Sequence, residues 1–344
     1  MVGGEARLRP TEKMQRVRMI DVANAAGVSM TTASYVLNDR DVQIPTETRQ
    51  RVWDAAKRLG FRPNRFAQNL AHQRSGLIGV LTPINPSPFH AQLTGELSAK
   101  ASALSYTLIF EATEGLEPGA DGFEEAINRL LQWRVDGLLL WSQGEPITKL
   151  PECPTVLFGP RNPHSSSLSS VFVDLYDGAR QAARHLVELG HREIGFVGHN
   201  DDDPRWQALA DVTSEAGLPP PSRVFDPGTH DHLRAEVERI AKADASPTAF
   251  LCISDVQALI VFRGLRNIGL TIPGDRSIVS CDESWAAENV DPALTSVAVP
   301  FAVMAEKALM SLIERVGSPA VDSANVVLTP KLNVRGSASR PWRD

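Results

Sequence analysis

The chain has 344 residues, with 35 lysines and arginines against 41 aspartates and glutamates, a formal net charge of -6. Its 42% hydrophobic content excludes a mainly disordered chain, and no apolar run approaches the roughly 20 residues of a membrane-spanning helix. Three widely spaced cysteines exclude a disulfide framework, and the polar, basic residues 1–18 do not resemble a signal peptide, so a cytoplasmic location is predicted.

The charge is unevenly distributed along the chain. Residues 1–75 contain 13 basic and 7 acidic residues, a balance of +6, whereas the other 269 residues contain 22 and 34, a balance of -12. A basic head on an acidic body favours a polyanionic partner for the head. A solvated surface that happens to be basic is the alternative.

The first predicted elements form a helix–turn–helix. Helical spacing begins at Ile20 and is interrupted by Gly27, and a second helix follows over about residues 30–38 with Ser29 as its N-cap. The outward-facing residues of this second helix are uncharged and rich in hydrogen-bonding groups, which suits the edges of DNA bases. An ordinary pair of antiparallel helices is the alternative.

Two further helical segments are predicted before residue 75. The first covers residues 46–59 and ends at Gly60, which is typical of a helix C-terminus. The second covers residues 64–71 and is too short to be stable without a partner. Residues 1–18 are predicted to be a flexible basic arm.

After residue 75 short apolar runs alternate with longer amphipathic ones. Strands are predicted at residues 77–82, 107–112, 137–141, 155–159, 171–173, 193–198, 249–253, 277–281 and 296–299. Helices are predicted at residues 90–104, 122–133, 177–189, 205–216, 233–243, 256–268 and 301–316. This alternation indicates an α/β body with two parallel sheets, and ligand sites of such sheets lie at the C-terminal ends of the strands.

Several motifs occur in an order that resembles the LacI type of bacterial transcriptional regulators. They include Ile20-Asp21-Val22-Ala23, Thr32-Ala33-Ser34-Tyr35-Val36-Leu37-Asn38, Phe61-Arg62-Pro63-Asn64 and Ile194-Gly195-Phe196-Val197-Gly198. The resemblance covers about residues 19–338. It implies a helix–turn–helix domain at 19–63, a hinge helix and linker at 64–75, and a two-lobed effector-binding and dimerisation domain at 76–344. That body resembles periplasmic binding proteins.

The resemblance implies a cytoplasmic, nucleoid-associated regulator, a repressor in the simplest case, that binds a double-stranded DNA operator as a homodimer. It assigns the DNA contacts to Ser29, Met30, Thr31, Thr32, Ser34, Tyr35, Asn38, Asn64, Ala67 and Leu70. Tyr35 stands where many members have arginine, so a guanine preference does not carry over. Leu70 matches a leucine that wedges between bases in the minor groove, with a core contact in the head as the alternative.

The resemblance also implies a small-molecule effector in the cleft between the lobes. Its positions are matched here by Phe89 after the first strand, Arg161 at a crossing between the lobes, Arg205 early in a second-lobe helix, and Asp255 and Asp282 after strands. Carboxylates and guanidinium groups at strand ends suit a sugar or another small polar molecule. For Trp206, stacking on a sugar ring and a place in the core are equal alternatives.

Two other classes of protein are disfavoured. An enzyme is disfavoured because the sequence lacks the nucleotide-binding, zinc-protease and nucleophile-elbow motifs. His230-Asp231-His232 could suggest a metal, but it lies in a predicted surface loop without a third ligand. A periplasmic solute-binding protein would need a signal peptide and no basic helical head. No cofactor, no metal and no membrane partner are therefore predicted.

Overall fold

A computed structural model describes residues 17–38, 42–61, 74–84, 87–113, 121–144, 151–161, 168–199, 202–225, 229–243, 246–318 and 322–342. The chain divides into two compact units, which we call the head (residues 1–75) and the body (residues 76–344). None of the helices in this described part of the chain combines the length and the apolar character needed to cross a bilayer.

The described head is built from three helices around a small apolar core. They are α1 (Met19–Ala26), α2 (Met30–Leu37) and α3 (Thr46–Leu59). Each contributes alanine, valine or leucine residues to the core: Val22, Ala23, Ala26, Ala33, Val36, Leu37, Val52, Ala55 and Ala56. Small side chains at these contacts allow the short helices to cross closely, and the predicted helix–turn–helix is confirmed.

Local capping interactions set the bounds of these helices. Gly27 ends α1 and Gly60 ends α3, both with left-handed backbone at φ 67° and 68°, a conformation that costs glycine least. The Ser29 hydroxyl accepts a hydrogen bond from the Thr32 backbone N–H at 3.0 Å and caps α2. The sequence-based predictions for all three ends are confirmed.

The body contains two sheets. Its elements, in chain order, are β1 (Leu77–Thr82), α4 (Pro88–Ala103), β2 (Thr107–Ala112), α5 (Asp121–Gln132), β3 (Gly137–Gln143), β4 (Thr155–Arg161), β5 (Ser169–Val173), α6 (Leu175–Glu188), β6 (Ile194–Gly198), α7 (Pro204–Glu215), β7 (Ser222–Phe225), α8 (His230–Ala241), β8 (Ala249–Cys252), α9 (Asp255–Asn267), β9 (Ser277–Asp282), α10 (Trp285–Asn289), β10 (Thr295–Ala298), α11 (Phe301–Gly317), β11 (Asn325–Leu328) and β12 (Lys331–Asn333).

Each sheet forms the centre of one lobe. The first-lobe sheet has the order β11-β5-β4-β3-β1-β2 and is entirely parallel; the second has the order β12-β10-β9-β8-β6-β7, with only β12 antiparallel. Strands β5, β6 and β9 are buried along their whole length, as expected for parallel strands covered by helices on both faces. The α/β prediction is confirmed.

The chain crosses between the lobes three times within the body. It passes from β5 through Asp174 into α6, returns from β10 into α11, and crosses again from β11 to β12. The core contacts agree with this path: Val173 and Phe301 pack in the first lobe, and Ala179 packs in the second. The two lobes are therefore joined by three short connections, which follow the C-terminal ends of β5, β10 and β11.

The sequence-based prediction missed three strands and the short helix α10. Strands β7, β11 and β12 have only three or four residues each, and no residue of β11 or β12 is fully buried. These are edge strands without the continuous apolar run by which the central strands are recognised. The segment at His230 is also not a loop, because α8 begins at this residue, three positions earlier than predicted.

A buried histidine fixes the C-terminal segment to the second lobe. His191 Nε2 lies 2.9 Å from the carbonyl oxygen of Ser339, an atom that only accepts, so Nε2 carries the proton. Nδ1 then accepts from the Thr248 hydroxyl at 2.8 Å. Burial lowers the pKa of His191 below its usual 6.5 and so disfavours the charged ring in the folded chain.

We expect His191→Gln to lower the free energy of unfolding by about 1–3 kcal/mol at pH 7.5, because buried hydrogen bonds are lost. The difference from wild type should shrink as the pH falls below 6.5. In that range the unfolded wild-type chain takes up a proton that the folded chain excludes, so wild type loses stability and the variant does not. Denaturant titrations between pH 5.5 and 8 measure this, with His232→Gln at an exposed position as the control. A pH-independent difference would contradict the assignment.

Candidate functional site

The head presents helix α2 as its candidate DNA-reading element. Ser29, Met30 and Thr31 are exposed at its N-terminal end. Four polar side chains form two separate hydrogen-bonded pairs, one at each end of the helix. The Ser29 and Thr32 hydroxyl oxygens are 2.8 Å apart, and the Asn38 amide donates to the Ser34 hydroxyl at 3.0 Å. Thr32, Ser34, Tyr35 and Asn38 are half-buried. Met30 and Thr31 are therefore the most accessible side chains of α2 for contact with DNA.

The predicted hinge contacts Asn64, Ala67 and Leu70 lie outside the described residues. Their assignment stays a prediction that depends on the resemblance.

A cavity of about 820 Å³ lies in the body where the C-terminal ends of both sheets converge. Its lining consists of Ser87, Pro88, Phe89, His90, Trp141, Gln143, Gly159, Pro160, Val173, Leu175, His199, Arg205, His230, Ile253, Ser254, Val256, Gln257, Asp282 and Met304. Gln143, Val173 and Asp282 end strands β3, β5 and β9, while Phe89 and Arg205 lie in the first turns of helices. This is the position at which parallel α/β sheets bind ligands.

The first-lobe wall of the cavity is aromatic. The Phe89 ring packs edge-on against His90, Trp141 and Phe301, with ring centroids 4.8 to 5.9 Å apart. Such edge-to-face contacts are the arrangement that aromatic rings prefer. Met304 and Val173 extend the wall with apolar side chains. The sequence-based placement of Phe89 at the candidate site is therefore matched by the geometry.

The second-lobe wall is polar and is centred on Arg205. Its guanidinium donates two 2.8 Å hydrogen bonds to Asp203 and one, also 2.8 Å, to the carbonyl oxygen of Ile253, and it lies 3.8 Å from the Asp282 carboxylate. Its side chain is only 15% exposed. Burial disfavours the charge, but the hydrogen bonds to Asp203 and the charges of both carboxylates outweigh it and raise the pKa of Arg205.

Asp282 completes this group of charges at the end of β9. Burial raises the pKa of its carboxyl group well above the usual value, although the nearby Arg205 opposes the shift. Its backbone is left-handed, at φ 105°, as is that of Glu283 at φ 42°. This conformation is strained for residues with a side chain and is typical of functional sites. Asp282 can therefore offer a ligand carboxyl oxygens that accept hydrogen bonds.

Trp206 does not lie at the cavity. It is 9% exposed and packs in the second-lobe core, with its ring centroid 5.5 Å from that of Phe196 and 4.3 Å from the Arg223 guanidinium carbon. The prediction of Trp206 as an effector contact is therefore wrong, and the core alternative describes it. Adjacent residues of a helix point about 100° apart, so Arg205 and Trp206 face different surroundings.

Asp255 also lies outside the cavity lining, and its carboxylate is used inside the protein. One oxygen accepts from the Ser280 hydroxyl at 2.6 Å and from the Ser296 hydroxyl at 3.2 Å, and the other accepts from the Ser284 backbone N–H at 2.5 Å. The residue is 2% exposed. Asp255 thus fastens β9 and β10 to the start of α9, which contradicts its predicted contact with an effector.

Arg161 is not at a crossing between the lobes. It is the last residue of β4, and the chain continues from β4 to β5 within the first-lobe sheet. The side chain of Arg161 is outside the described part of the structure. Its role at the effector site stays a prediction based on the resemblance.

The sequence-based prediction missed the histidines and amides of the lining. His199 directly follows β6, and its ring nitrogen lies 3.3 Å from the Gln257 amide nitrogen; Gln257 in turn contacts the Ser254 hydroxyl. His90 and His230 lie in the first turns of α4 and α8. As isolated histidines they belong to no sequence pattern that signals a site. No cluster of three or more His, Cys, Asp or Glu suited to a metal ion occurs among the described residues.

Comparison with protein families matches two parts of the chain. Residues 18–64 match the model of bacterial regulatory proteins of the lacI family, and residues 183–338 match a periplasmic binding protein-like domain. Among curated relatives, Catabolite control protein A of Priestia megaterium is 29% identical over 332 residues, which is 93% of this chain and 99% of that protein. The transcriptional repressor PurR of Yersinia pestis (strain Pestoides F) is 28% identical, covering 94% and 98%.

Solved structures align with most of the chain. The Lac repressor dimer bound to operator and the anti-inducer ONPF aligns with a TM-score of 0.79 at 24% identity, over 94% of this chain and all of that one. A complex of the regulator CelR with cellobiose aligns with a TM-score of 0.65 at 27% identity, with the same coverage. The helix–turn–helix head, the two-lobed body and these matches show that the chain belongs to the LacI family of DNA-binding transcriptional regulators.

Proposed function

We propose that this chain is a repressor that binds a pseudo-palindromic operator as a homodimer, and that a small polar molecule, a sugar or a related metabolite, controls its DNA affinity. One observation carries the proposal. The same chain joins a helix–turn–helix head with an exposed α2 N-terminus to a two-lobed body with a cavity at the strand ends.

The charge distribution supports DNA contact by the head. The +6 balance of residues 1–75 is attracted to phosphates, whereas the -12 balance of the rest is repelled. Insertion of α2 into the major groove would bring Met30, Thr31 and Tyr35 to the base edges. Contacts of Asn64, Ala67 and Leu70 in the minor groove are part of the proposal on the strength of the resemblance alone.

The two walls of the cavity support a polar ligand with an apolar face. The ring of a sugar has both, because its C–H groups can pack on Phe89 and Trp141 while its hydroxyls bond to polar groups. On the second-lobe wall, Arg205 can donate hydrogen bonds and Asp282 can accept them. A cavity of about 820 Å³ is within the usual range for small-molecule sites.

Control of DNA binding would then follow from thermodynamic linkage. A ligand held by Phe89 of one lobe and Arg205 of the other favours one relative position of the lobes. If the two heads of a dimer fit the operator in one such position only, ligand and operator change each other's affinity by the same factor.

The DNA-binding part is tested by selecting bound duplexes from a random library with the full chain. We expect an inverted repeat, one dimer for each site, and an affinity that falls about 10³-fold or more between about 50 and 200 mM salt. The chain without residues 1–75 is the control and should bind no site. Enrichment of sequences without twofold symmetry would contradict the proposal.

The effector part is tested by thermal unfolding of the full chain with a panel of sugars and polyols. A binding compound at 100 times its Kd should stabilise the chain by about 2.7 kcal/mol and change operator affinity. Asp282→Asn should weaken its binding by a factor of ten or more, because a charged hydrogen-bond partner is lost. Asp211→Asn, on the surface of α7 outside the cavity lining, is the control. Equal weakening by both variants would remove Asp282 from the site.

A further inference from the structure

Helix α2 lacks every side chain that pairs with a base through two hydrogen bonds. Its sequence, Met30 to Leu37, contains no arginine, lysine, asparagine, glutamine, aspartate or glutamate. Arginine and lysine read guanine in the major groove, the amides read adenine, and the carboxylates accept from cytosine. A recognition helix without them must read bases in another way.

The most exposed large side chain of α2 is apolar. Met30 is the first residue of the helix and is 56% exposed. Residues at the N-terminal end of a recognition helix contact base edges. The C5 methyl group of thymine is the apolar group that the four bases display in the major groove, and apolar side chains contact it.

The polar neighbours of Met30 are partly committed to bonds within the helix. The Ser29 hydroxyl caps the Thr32 N–H and contacts the Thr32 hydroxyl, and the Asn38 amide donates to Ser34. Asn38, an amide next to α2 that could read adenine, is also half-buried at the helix C-terminus. Thr31 is exposed beside Met30 and adds a methyl group of its own.

We propose that each operator half-site contains a thymine whose C5 methyl group is read by Met30, with Thr31 beside it. This inference rests on the proposed function as an operator-binding regulator and adds the base that the recognition helix selects. Specificity at this position comes from apolar contact and the exclusion of water, without a bidentate hydrogen-bond pair.

The test uses the full chain and the best duplex from the random-library selection. Each thymine is replaced in turn by uracil, which removes the methyl group and keeps the base pair. At one or two positions in each half-site we expect uracil to weaken binding about fourfold for each methyl group removed. In Met30→Ala the same replacement should change affinity less than twofold.

Matched variants separate this contact from a general loss of binding. Met310→Ala removes an exposed methionine of the body and should keep the full uracil effect. Met30→Gln keeps the length of the side chain, should fold like wild type because position 30 is exposed, and should lose the uracil effect.

Two results overturn the inference, and they are distinguishable from failure of the proposed function. Binding of the selected site with no uracil effect at any position would show that thymine methyl groups are not read. A uracil effect that persists in both Met30 variants would assign the contact to another residue. If no duplex is enriched at all, the proposed function fails together with the inference.

Discussion

Replacing Arg205 with methionine is expected to lower the free energy of unfolding of the body by about 3–5 kcal/mol at pH 7.5, because it leaves buried carboxylates without a counter-charge. The side chains of Asp203 and Asp282 are only 9% and 12% exposed. Arg205 gives Asp203 two hydrogen bonds and lies 3.8 Å from Asp282. Denaturant titration followed by circular dichroism measures the loss.

Two features distinguish this effect from the loss of an ordinary ion pair. Arg239→Met removes an exposed pair with Glu236 and should cost far less. The loss in Arg205→Met should also shrink as the pH falls below 7.5, because burial then raises the pKa of Asp282 without the opposing charge of Arg205, and protonation removes the uncompensated charge. A loss no larger than that of Arg239→Met, or one that grows on acidification, would contradict the description of the second-lobe wall.

The helices of the head could be predicted to within about a residue because their ends depend on local chemistry. Gly27 and Gly60 adopt the left-handed conformation that ends α1 and α3, and Ser29 caps α2 within three residues of sequence. The central strands of the body were equally visible as continuous apolar runs. Edge strands such as β12 were not, because they form only where another strand is already in place.

The candidate site could be predicted as a location better than as a set of side chains. The resemblance assigned Phe89, Arg205 and Asp282 to the effector site, and all three line one cavity, because parallel strands end at a common edge. Asp255 was assigned to the site in the same way but does not line the cavity, since position along the chain does not determine which way a side chain points. Its carboxylate is satisfied by serines at positions 280, 284 and 296, at least 25 residues away in sequence.

The histidines of the lining are site residues that the sequence-based prediction did not identify. His230 seemed to lie in a surface loop because proline and glycine precede it, yet it begins α8 and lines the cavity. An isolated histidine has no pattern by which a sequence reveals it as a site residue. Only the convergence of α4, β6 and α8 on one cavity brings His90, His199 and His230 to the same surface.

Loss of the Asp255 carboxylate is also expected to destabilise the body strongly. Asp255→Ala should lower the free energy of unfolding by about 2–4 kcal/mol, because the Ser280 hydroxyl and the Ser284 backbone N–H lose their acceptor in a buried site. Asp255→Asn keeps one acceptor oxygen and should lose less. Asp211→Ala, which removes a surface carboxylate bonded to Tyr176, should lose much less than either.

The Asp255→Asn variant distinguishes a structural role of Asp255 from an effector-binding role. If Asp255 fastens β9 and β10 to α9, those Asp255→Asn molecules that are folded should bind a cavity ligand with nearly the wild-type Kd. The reason is that the Asp255 carboxylate of the wild type does not line the cavity. Calorimetric titration with a compound found by thermal unfolding measures this Kd. An Asp255→Asn chain of wild-type stability that no longer binds the compound would return Asp255 to the effector site. Such a result would also mean that the hydrogen bonds of Asp255 to Ser280, Ser284 and Ser296 break when the ligand binds.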